Sequence, residues 1–181
     1  TYALIRRIEH IKAEKIVIGI SGGLDSTLAV LVAQHAVTKI NRKPPKIIAV
    51  SLPGFGTSDR TKNNACHLSK YLSCDFRQID IKSATSFHIN SISQEKEISE
   101  ITYENTQARI RTMTLMNIAN NENGLVLGTG DMSEAATGWC TYAGDHISMY
   151  HINTGIPKTL VKYLVYQFAE NTKDKKLKLI L

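Results

Sequence analysis

Short runs of apolar residues at several points of the chain are typical of strands buried on both faces. Such runs, rich in β-branched residues, predict strands over 16–20, 46–52 and 124–128. Residues 75–81 alternate between polar and apolar positions, which predicts a further strand or a sheet edge. The glycine-rich segments that follow the first and the last of these runs mark the ends of the strands.

Between these runs lie longer segments that have no helix breaker, several of them with apolar residues at helical spacing. They predict helices over 2–13, about 26–40, about 59–71, about 103–121 and from Pro157 to about 170. The segment Asn41–Pro45 contains two prolines and predicts the end of the second helix. Residues 83–100 carry weak signals and predict a short helix with a loop, and a second short helix is expected after Gly130.

Strands that alternate with helices predict an α/β fold, a doubly wound parallel sheet flanked by helices. In such folds the ligand site lies at the carboxyl ends of the strands. The loops 19–26 and 128–134 both follow predicted strands directly, so we expect them to line one shared crevice. Neither a repeat nor a linker interrupts the pattern, and residues 1–181 are therefore expected to form a single domain.

Composition agrees with a globular protein, since 43% of the residues are hydrophobic and 21% are charged. No apolar run approaches the roughly 20 residues of a membrane span, and no signal-peptide pattern is present. Cys66, Cys74 and Cys140 lack C-x-x-C spacing, which favours reduced thiols over a zinc site. We therefore expect a cytoplasmic protein with no membrane partner.

The formal net charge of +6 raises the question of a nucleic-acid partner. Half of this excess lies in the last nine residues, where four lysines accompany Asp174. The rest of the chain is only mildly basic, so a solvated helix end is favoured over a nucleic-acid surface. A basic pocket for a phosphorylated substrate also fits this charge.

The loop Ser21–Ser26 has the composition of an anion-binding turn between a strand and a helix. Adjacent glycines let backbone N–H groups line a concave wall, and the helix start adds free donors and a positive dipole end. A Walker A loop would carry a lysine here, whereas this loop carries Asp25. A carboxylate beside phosphate requires a metal to neutralise both, which makes Asp25 a candidate Mg²⁺ ligand. The alternative is a plain turn in which Asp25 or Ser26 caps the helix.

Placed directly after a strand, the segment Ser21–Ser26 resembles the pyrophosphate loop of the ATP pyrophosphatases. That superfamily includes NAD synthetase, GMP synthetase, asparagine synthetase, argininosuccinate synthetase and tRNA-thiolating enzymes. Its members split ATP into AMP and pyrophosphate.

Three further stretches narrow the resemblance: residues 103–111 on the long helix, 127–134 after the fourth strand, and 138–146 leading towards 155–160. Together they resemble the synthetase domain of NAD synthetase over nearly the whole chain. Residues 52–60 and 138–145 resemble the glutamine-dependent branch in particular. The implied fold is Rossmann-like, of the adenine nucleotide alpha hydrolase type.

This resemblance implies the final step of NAD biosynthesis, with ATP and Mg²⁺ as cofactors. The nicotinate carboxylate of deamido-NAD attacks the α-phosphate of ATP, pyrophosphate leaves, and ammonia displaces AMP from the acyl adenylate. The protein must mainly neutralise phosphate charge and position two reactants. The resemblance also implies a homodimer that binds deamido-NAD across its interface. The natural interface elements are the long helix that starts near residue 103 and the final helix.

The resemblance assigns roles to residues at matching positions. Asp25 and Glu134 would ligate Mg²⁺, and with Lys158 they form the expected catalytic set. Arg109 and Asp145 would bind deamido-NAD. The residues expected to hold ATP are Gly19, Ser21, Gly22, Gly23, Asp25, Ser26, Thr129 and Lys158.

Several of these residues also have ordinary structural interpretations. Glu134 could be an exposed helix carboxylate, Arg109 a surface arginine and Lys158 a common first-turn lysine. Trp139, Tyr142 and Tyr150 are expected to be core or interface aromatics rather than ring-stacking groups. Adenylation needs no histidine base, so His146 is left out of the site.

The chain departs from the family pattern in two respects. Tyr142 stands where ammonia-using relatives carry a lysine, which favours the glutamine-dependent branch and removes one expected substrate contact. In the family a lid follows the last helix, and glutamine-dependent members begin with an amidase domain that releases ammonia from glutamine; we expect the given residues to carry neither. We therefore expect a domain trimmed at both ends, whose activity on its own is open.

Two other functions remain open at this point. One is another ATP pyrophosphatase, either GMP synthetase-like or tRNA-modifying, although the absence of cysteine pairs and the weak basic charge count against a tRNA substrate. The other is a nucleotide-binding fragment that is inactive on its own.

Overall fold

A computed structural model describes residues 1–40, 43–93, 97–173 and 175–180. Over these residues five strands form one sheet in the order β3-β2-β1-β4-β5, and every neighbouring pair is parallel. The strands are β1 (Lys15–Gly19), β2 (Lys46–Ser51), β3 (Asp75–Gln78), β4 (Gly124–Gly128) and β5 (Tyr150–His151). The prediction of a doubly wound parallel sheet is confirmed.

Helices cover both faces of this sheet. They are α1 (Tyr2–Ile11), α2 (Leu24–Val37), α3 (Asp59–Tyr71), α4 (Lys82–Ser93), α5 (Glu100–Asn121), α6 (Met132–Thr137), α7 (Lys158–Asn171) and α8 (Lys175–Ile180). No helix among the described residues is both long and apolar enough to cross a membrane.

The central strand β1 explains why helices are needed on both faces. Ile16 and Ile18 point to one side, where they pack with buried residues of α1, α2 and α3. Val17 points to the other side and packs with Ile110 and Ala119 of α5. Ile16, Val17 and Ile18 are all fully buried, so both faces of the strand must be apolar. This explains why its sequence is a continuous apolar run, as is usual in parallel sheets.

The order of the strands places a crevice at one point of the sheet. The chain runs from β1 outwards to β2 and β3, and then returns to the other side of β1 to form β4. The loops that follow β1 and β4 therefore leave the carboxyl ends of these two strands in different directions. A crevice opens between them, and this is where doubly wound folds bind ligands.

The structure corrects the prediction at the end of the chain. The helix that begins after Pro157 is followed by α8, whose Leu177 is buried against the core. The two-residue strand β5 was not predicted, and β3 ends at Gln78, before the predicted end at 81. Residues 41 and 42 of the predicted helix break lie outside the described residues.

Candidate functional site

The loop after β1 is shaped by backbone geometry and by two serines. Gly22 has φ +82°, in the left-handed region that favours glycine. The Ser21 hydroxyl accepts a hydrogen bond from the N–H of Gly23, and the Ser26 hydroxyl donates to the carbonyl of Gly23. Gly23 is the N-cap residue of α2 and offers no side-chain cap. The alternative in which Asp25 or Ser26 caps this helix is therefore wrong: the Ser26 hydroxyl bonds within the loop, and the Asp25 carboxylate contacts Lys158 instead.

The loop after β4 holds its carboxylates through a capping box at the start of α6. Asp131 Oδ1 accepts from the N–H of Glu134 at 2.8 Å, and Glu134 Oε2 accepts from the N–H of Asp131 at 3.2 Å. Each carboxylate keeps a second oxygen that is not used in the cap. The cap therefore fixes the direction in which the remaining oxygens point.

Lys158, at the first position of α7, brings the two loops together. Its Nζ lies 2.6 Å from Asp25 Oδ2, 3.0 Å from Asp131 Oδ2 and 3.2 Å from Glu134 Oε1. The backbone N–H of Lys158 also donates to the hydroxyl of Ser133 at 3.1 Å. The carboxylate cluster, which we define as Asp25, Asp131 and Glu134, thus surrounds one ammonium group.

The pKa values of two of these groups reflect their mutual attraction. Burial lowers the pKa of Lys158, but the hydrogen bonds and charges of the carboxylates outweigh it and raise this pKa. Burial raises the pKa of Asp131, but the hydrogen bond from the Glu134 backbone and the charge of Lys158 outweigh it, so this pKa is lowered. Lys158 and Asp131 are therefore both charged near neutral pH.

The carboxylate cluster has the properties of a site for a hard divalent cation. One ligand oxygen from each residue lies within 4.8 Å of the others. Oδ1 of Asp25 is buried and has no hydrogen-bond partner among the described residues, so it is an orphaned acceptor. Oxygen donors from carboxylates are the ligands that Mg²⁺ prefers, and the residues fit that ion.

Asn153 is fully buried and connects the two loops through its side chain. Its side-chain amide donates to the carbonyl of Asp25 and to that of Thr129, both at 3.0 Å. A single side chain thus bridges the loop after β1 and the loop after β4. Asn153 and Lys158 thus both connect the two loops.

Two cavities adjoin the carboxyl ends of the strands. The larger, of about 630 Å³, is lined by both loops, and its walls include Gly19, Ser21, Asp25, Ser26, Thr129 and Glu134. The prediction that the two loops share one crevice is confirmed. The smaller, of about 400 Å³, lies beside the loop after β2 and the start of α3.

The two residues expected to bind deamido-NAD lie in different surroundings. Asp145 lines the larger cavity, and its Oδ1 accepts from the N–H of Thr141 at 2.6 Å. Arg109 is exposed and does not line either cavity as the described residues define them. Its Nε donates to the carbonyl of Tyr142 at 3.1 Å, which joins α5 to the segment after α6.

Two aromatic residues of that segment are not part of the core. Trp139 is 80% exposed and Tyr142 is 81% exposed, so the core alternative is wrong for both. Their place in an interface stays a prediction. His146 lines the larger cavity, and its Nδ1 lies 2.9 Å from the carbonyl oxygen of Thr141.

The structure adds three residues that the sequence interpretation missed. Asp131 could have been found, because an aspartate three residues before a glutamate at a helix start is a capping-box pattern. Arg111 lines both cavities, but its position in the sequence gives no reason to choose it over Arg109, which lies two residues earlier on α5. Asn153 precedes α7 in an irregular segment and carries no local signal.

We expect Lys158→Met to tighten the binding of Mn²⁺ to the nucleotide-free protein roughly tenfold. The ammonium competes with a cation for the same carboxylate oxygens, and this competition is moderated because the lysine is partly exposed. Mn²⁺ titration followed by electron paramagnetic resonance measures the change. Lys178→Met, which removes a surface ion pair with Glu170, is the control. Weaker Mn²⁺ binding by Lys158→Met alone would contradict this competition.

Known proteins resemble this chain both in sequence and in fold. The family model described as NAD synthase matches residues 2–173. The glutamine-dependent NAD(+) synthetase of Mycobacterium tuberculosis is 45% identical over 167 residues, which cover 90% of this chain and 25% of that protein. The chain thus spans about a quarter of the length of the curated relatives it matches.

Two solved structures have the same fold. The glutamine-dependent NAD+ synthetase of Acinetobacter baumannii, in complex with ADP, has a TM-score of 0.88 at 26% identity. The match covers 98% of this chain and 33% of that one. The NMN synthetase of Francisella tularensis has a TM-score of 0.78 at 28% identity, and the match covers 90% of this chain and 66% of that one.

Proposed function

This chain belongs to the NAD synthase family, and on that premise we propose that it activates deamido-NAD with ATP and amidates it to NAD. The observation that carries the proposal is the meeting of the Ser21–Ser26 loop and the carboxylate cluster in one cavity. An anion-binding turn beside clustered carboxylates suits a nucleoside triphosphate held together with a divalent cation. The ADP complex of the Acinetobacter relative supports an adenine nucleotide as the ligand.

In this proposal the loop after β1 holds the pyrophosphate portion of ATP. The backbone of Gly19, Gly22 and Gly23 and the hydroxyls of Ser21 and Ser26 face the phosphates, and Thr129 contacts the nucleotide from the other loop. Asp25, Asp131 and Glu134 would hold Mg²⁺, which neutralises phosphate charge when bound. Lys158 would stabilise negative charge on the phosphates.

The reaction then follows from positioning. The nicotinate carboxylate oxygen forms a bond to the α-phosphorus, and the bond to the bridging oxygen breaks, so its electron pair leaves with pyrophosphate. Ammonia next attacks the acyl carbon, AMP leaves, and a proton of the nitrogen passes to solvent. Arg109 and Asp145 are proposed to bind deamido-NAD on the side of the segment after α6. We further propose that the ammonia comes from glutamine and that the protein is cytoplasmic.

Calorimetric titration tests the proposal, first with ATP and Mg²⁺ and separately with deamido-NAD. A second assay with ammonium follows AMP and NAD. Binding of both ligands with release of AMP supports the synthetase function. Binding of ATP without deamido-NAD would favour another ATP pyrophosphatase. Because one structural relative is an NMN synthetase, a parallel titration with nicotinate mononucleotide tests whether this chain takes a mononucleotide instead. Binding of both without AMP would indicate a nucleotide-binding unit that does not turn over by itself.

We also propose that the chain forms a homodimer through α5 and α7. Both helices expose large apolar side chains, among them Met113, Tyr163 and Tyr166, each more than half exposed. Sedimentation equilibrium at micromolar concentration is expected to give the mass of two chains. Replacement of both Tyr163 and Tyr166 by glutamate is expected to shift this mass towards one chain. A wild-type mass of one chain would contradict the dimer.

A further inference from the structure

Arg111 lies where the two cavities meet. It is a half-buried residue of α5, and it lines both the larger and the smaller cavity. Only Ile20, Ser21 and Leu52 share that position with it among the residues described as lining them. Arg111 is therefore the one cation that faces both spaces in the described part of the chain.

The charge of Arg111 has no close partner among the residues that the structure describes. Arg77, by contrast, has an oxygen of Glu122 2.8 Å from its Nη2, and Lys158 contacts three carboxylates. No carboxylate oxygen of the described chain lies within 4.0 Å of the Arg111 guanidinium. Burial lowers the pKa of Arg111, and the more distant charge of Asp145 offsets part of this effect. A half-buried cation without a counter-ion is costly unless a ligand supplies the anion.

The loop after β2 holds the guanidinium in one orientation. Nε of Arg111 donates to the carbonyl of Leu52 at 3.1 Å, which leaves both terminal nitrogens for other partners. A methyl group on Gly54 would lie 2.9 Å from Nη2, so the glycine allows this close approach. The neighbouring N–H of Phe55 donates to Gln107 of the same helix, one turn away from Arg111. The two terminal nitrogens of the Arg111 guanidinium are thus held in a fixed orientation before a ligand binds.

We propose that Arg111 binds the oxygens of the α-phosphate of ATP, and then of the acyl adenylate, as a further catalytic residue. The inference rests on the proposed function. The pyrophosphate portion of ATP is assigned to the loop after β1, whose Ser21 lines both cavities. We assign the acid to the larger cavity, which Asp145 lines, and the nucleoside to the smaller one, so the reacting phosphorus lies between the two cavities. Arg111 occupies that junction.

The chemistry of adenylation requires a cation at this point. A carboxylate and a phosphate, both anionic, must approach one another, and negative charge spreads over the phosphoryl oxygens in the transition state. A planar guanidinium can donate two parallel hydrogen bonds to such oxygens and screens the approaching carboxylate. Arg111 stays protonated throughout, and the step needs no proton from it.

The test compares adenosine with AMP, which differ only by the α-phosphate. Wild type, Arg111→Met and Arg111→Lys are each titrated calorimetrically with both ligands. Wild type is expected to bind AMP more tightly than adenosine, and Arg111→Met is expected to reduce this preference about tenfold or more. Arg111→Lys keeps the charge without the fork and should give an intermediate preference. Arg7→Met, an exposed arginine of α1, is the matched control.

The ratio of the two affinities separates a ligand contact from a structural role. If Arg111→Met weakens adenosine and AMP equally, or leaves the preference unchanged, the proposal is overturned while the proposed function stands. If Arg111→Met does not fold, the preference of Arg111→Lys decides in the same way. If wild type binds neither ATP with Mg²⁺ nor AMP, the proposed function itself fails, and Arg111 loses this role with it.

Discussion

Asp25→Asn is expected to weaken the binding of ATP in the presence of Mg²⁺ on the order of 100-fold, because in the proposed function Asp25 is a direct metal ligand. The carboxylate cluster gathers three acidic side chains around Lys158, and in the proposed function their negative charges would hold a divalent cation. Asparagine keeps the size of the side chain and one carbonyl oxygen, but it removes one of those charges. Calorimetric titration with ATP at fixed Mg²⁺ measures the loss, and adenosine, which lacks phosphates, should bind unchanged.

Glu134→Gln should produce a similar loss without disturbing the start of α6. The glutamine carbonyl oxygen can still accept the hydrogen bond from the N–H of Asp131, so the capping box remains. This variant therefore separates the charge of Glu134 from its structural role. His146→Ala is the control, since the imidazole lines the same cavity without belonging to the cluster. Equal losses from Asp25→Asn, Glu134→Gln and His146→Ala would mean that the metal site lies elsewhere.

The fold was largely predictable because its strands are buried on both faces. The apolar runs of β1, β2 and β4 are strong local signals, and the structure forms each of them within one residue of the prediction. The strand β5 is only two residues long and pairs with β4 through long-range packing, so no periodicity could identify it. The helix α8 was missed because its lysines suggested a solvated end, whereas its Leu177 is buried in the core.

The candidate site was predictable only where its residues follow strands. Asp25 and Glu134 meet because both loops leave the same edge of the sheet, and that edge follows from the fold class. The place of Lys158 depends on how α7 packs on α2 through Val161 and Val165, which the sequence does not encode locally. The different surroundings of Arg109 and Arg111 depend on the rotation of α5 about its axis.

Gly22→Ala is expected to destabilise the protein by about 3 kcal/mol or more and to abolish measurable ATP binding. Its φ of +82° alone is unfavourable for alanine, by roughly 1–2 kcal/mol. The added methyl group would also lie 2.5 Å from the backbone oxygen of Thr61 in α3. Since neither backbone can move easily, the loop must shift away from the helix, and the backbone N–H groups that we propose to bind phosphate move with it.

Gly138→Ala separates the two causes, because Gly138 has a similar φ of +68° and nothing within 4 Å of an added methyl group. It should therefore show only the conformational penalty, about 1 kcal/mol. Chemical denaturation of both variants gives the difference, which measures the contact of the loop with α3. If the two variants lose equal stability, the contact between the loop and α3 contributes nothing to the free energy of unfolding, and α3 does not hold the loop. A difference of about 2 kcal/mol, together with loss of ATP binding in Gly22→Ala alone, would mean that α3 holds the phosphate loop in its binding shape.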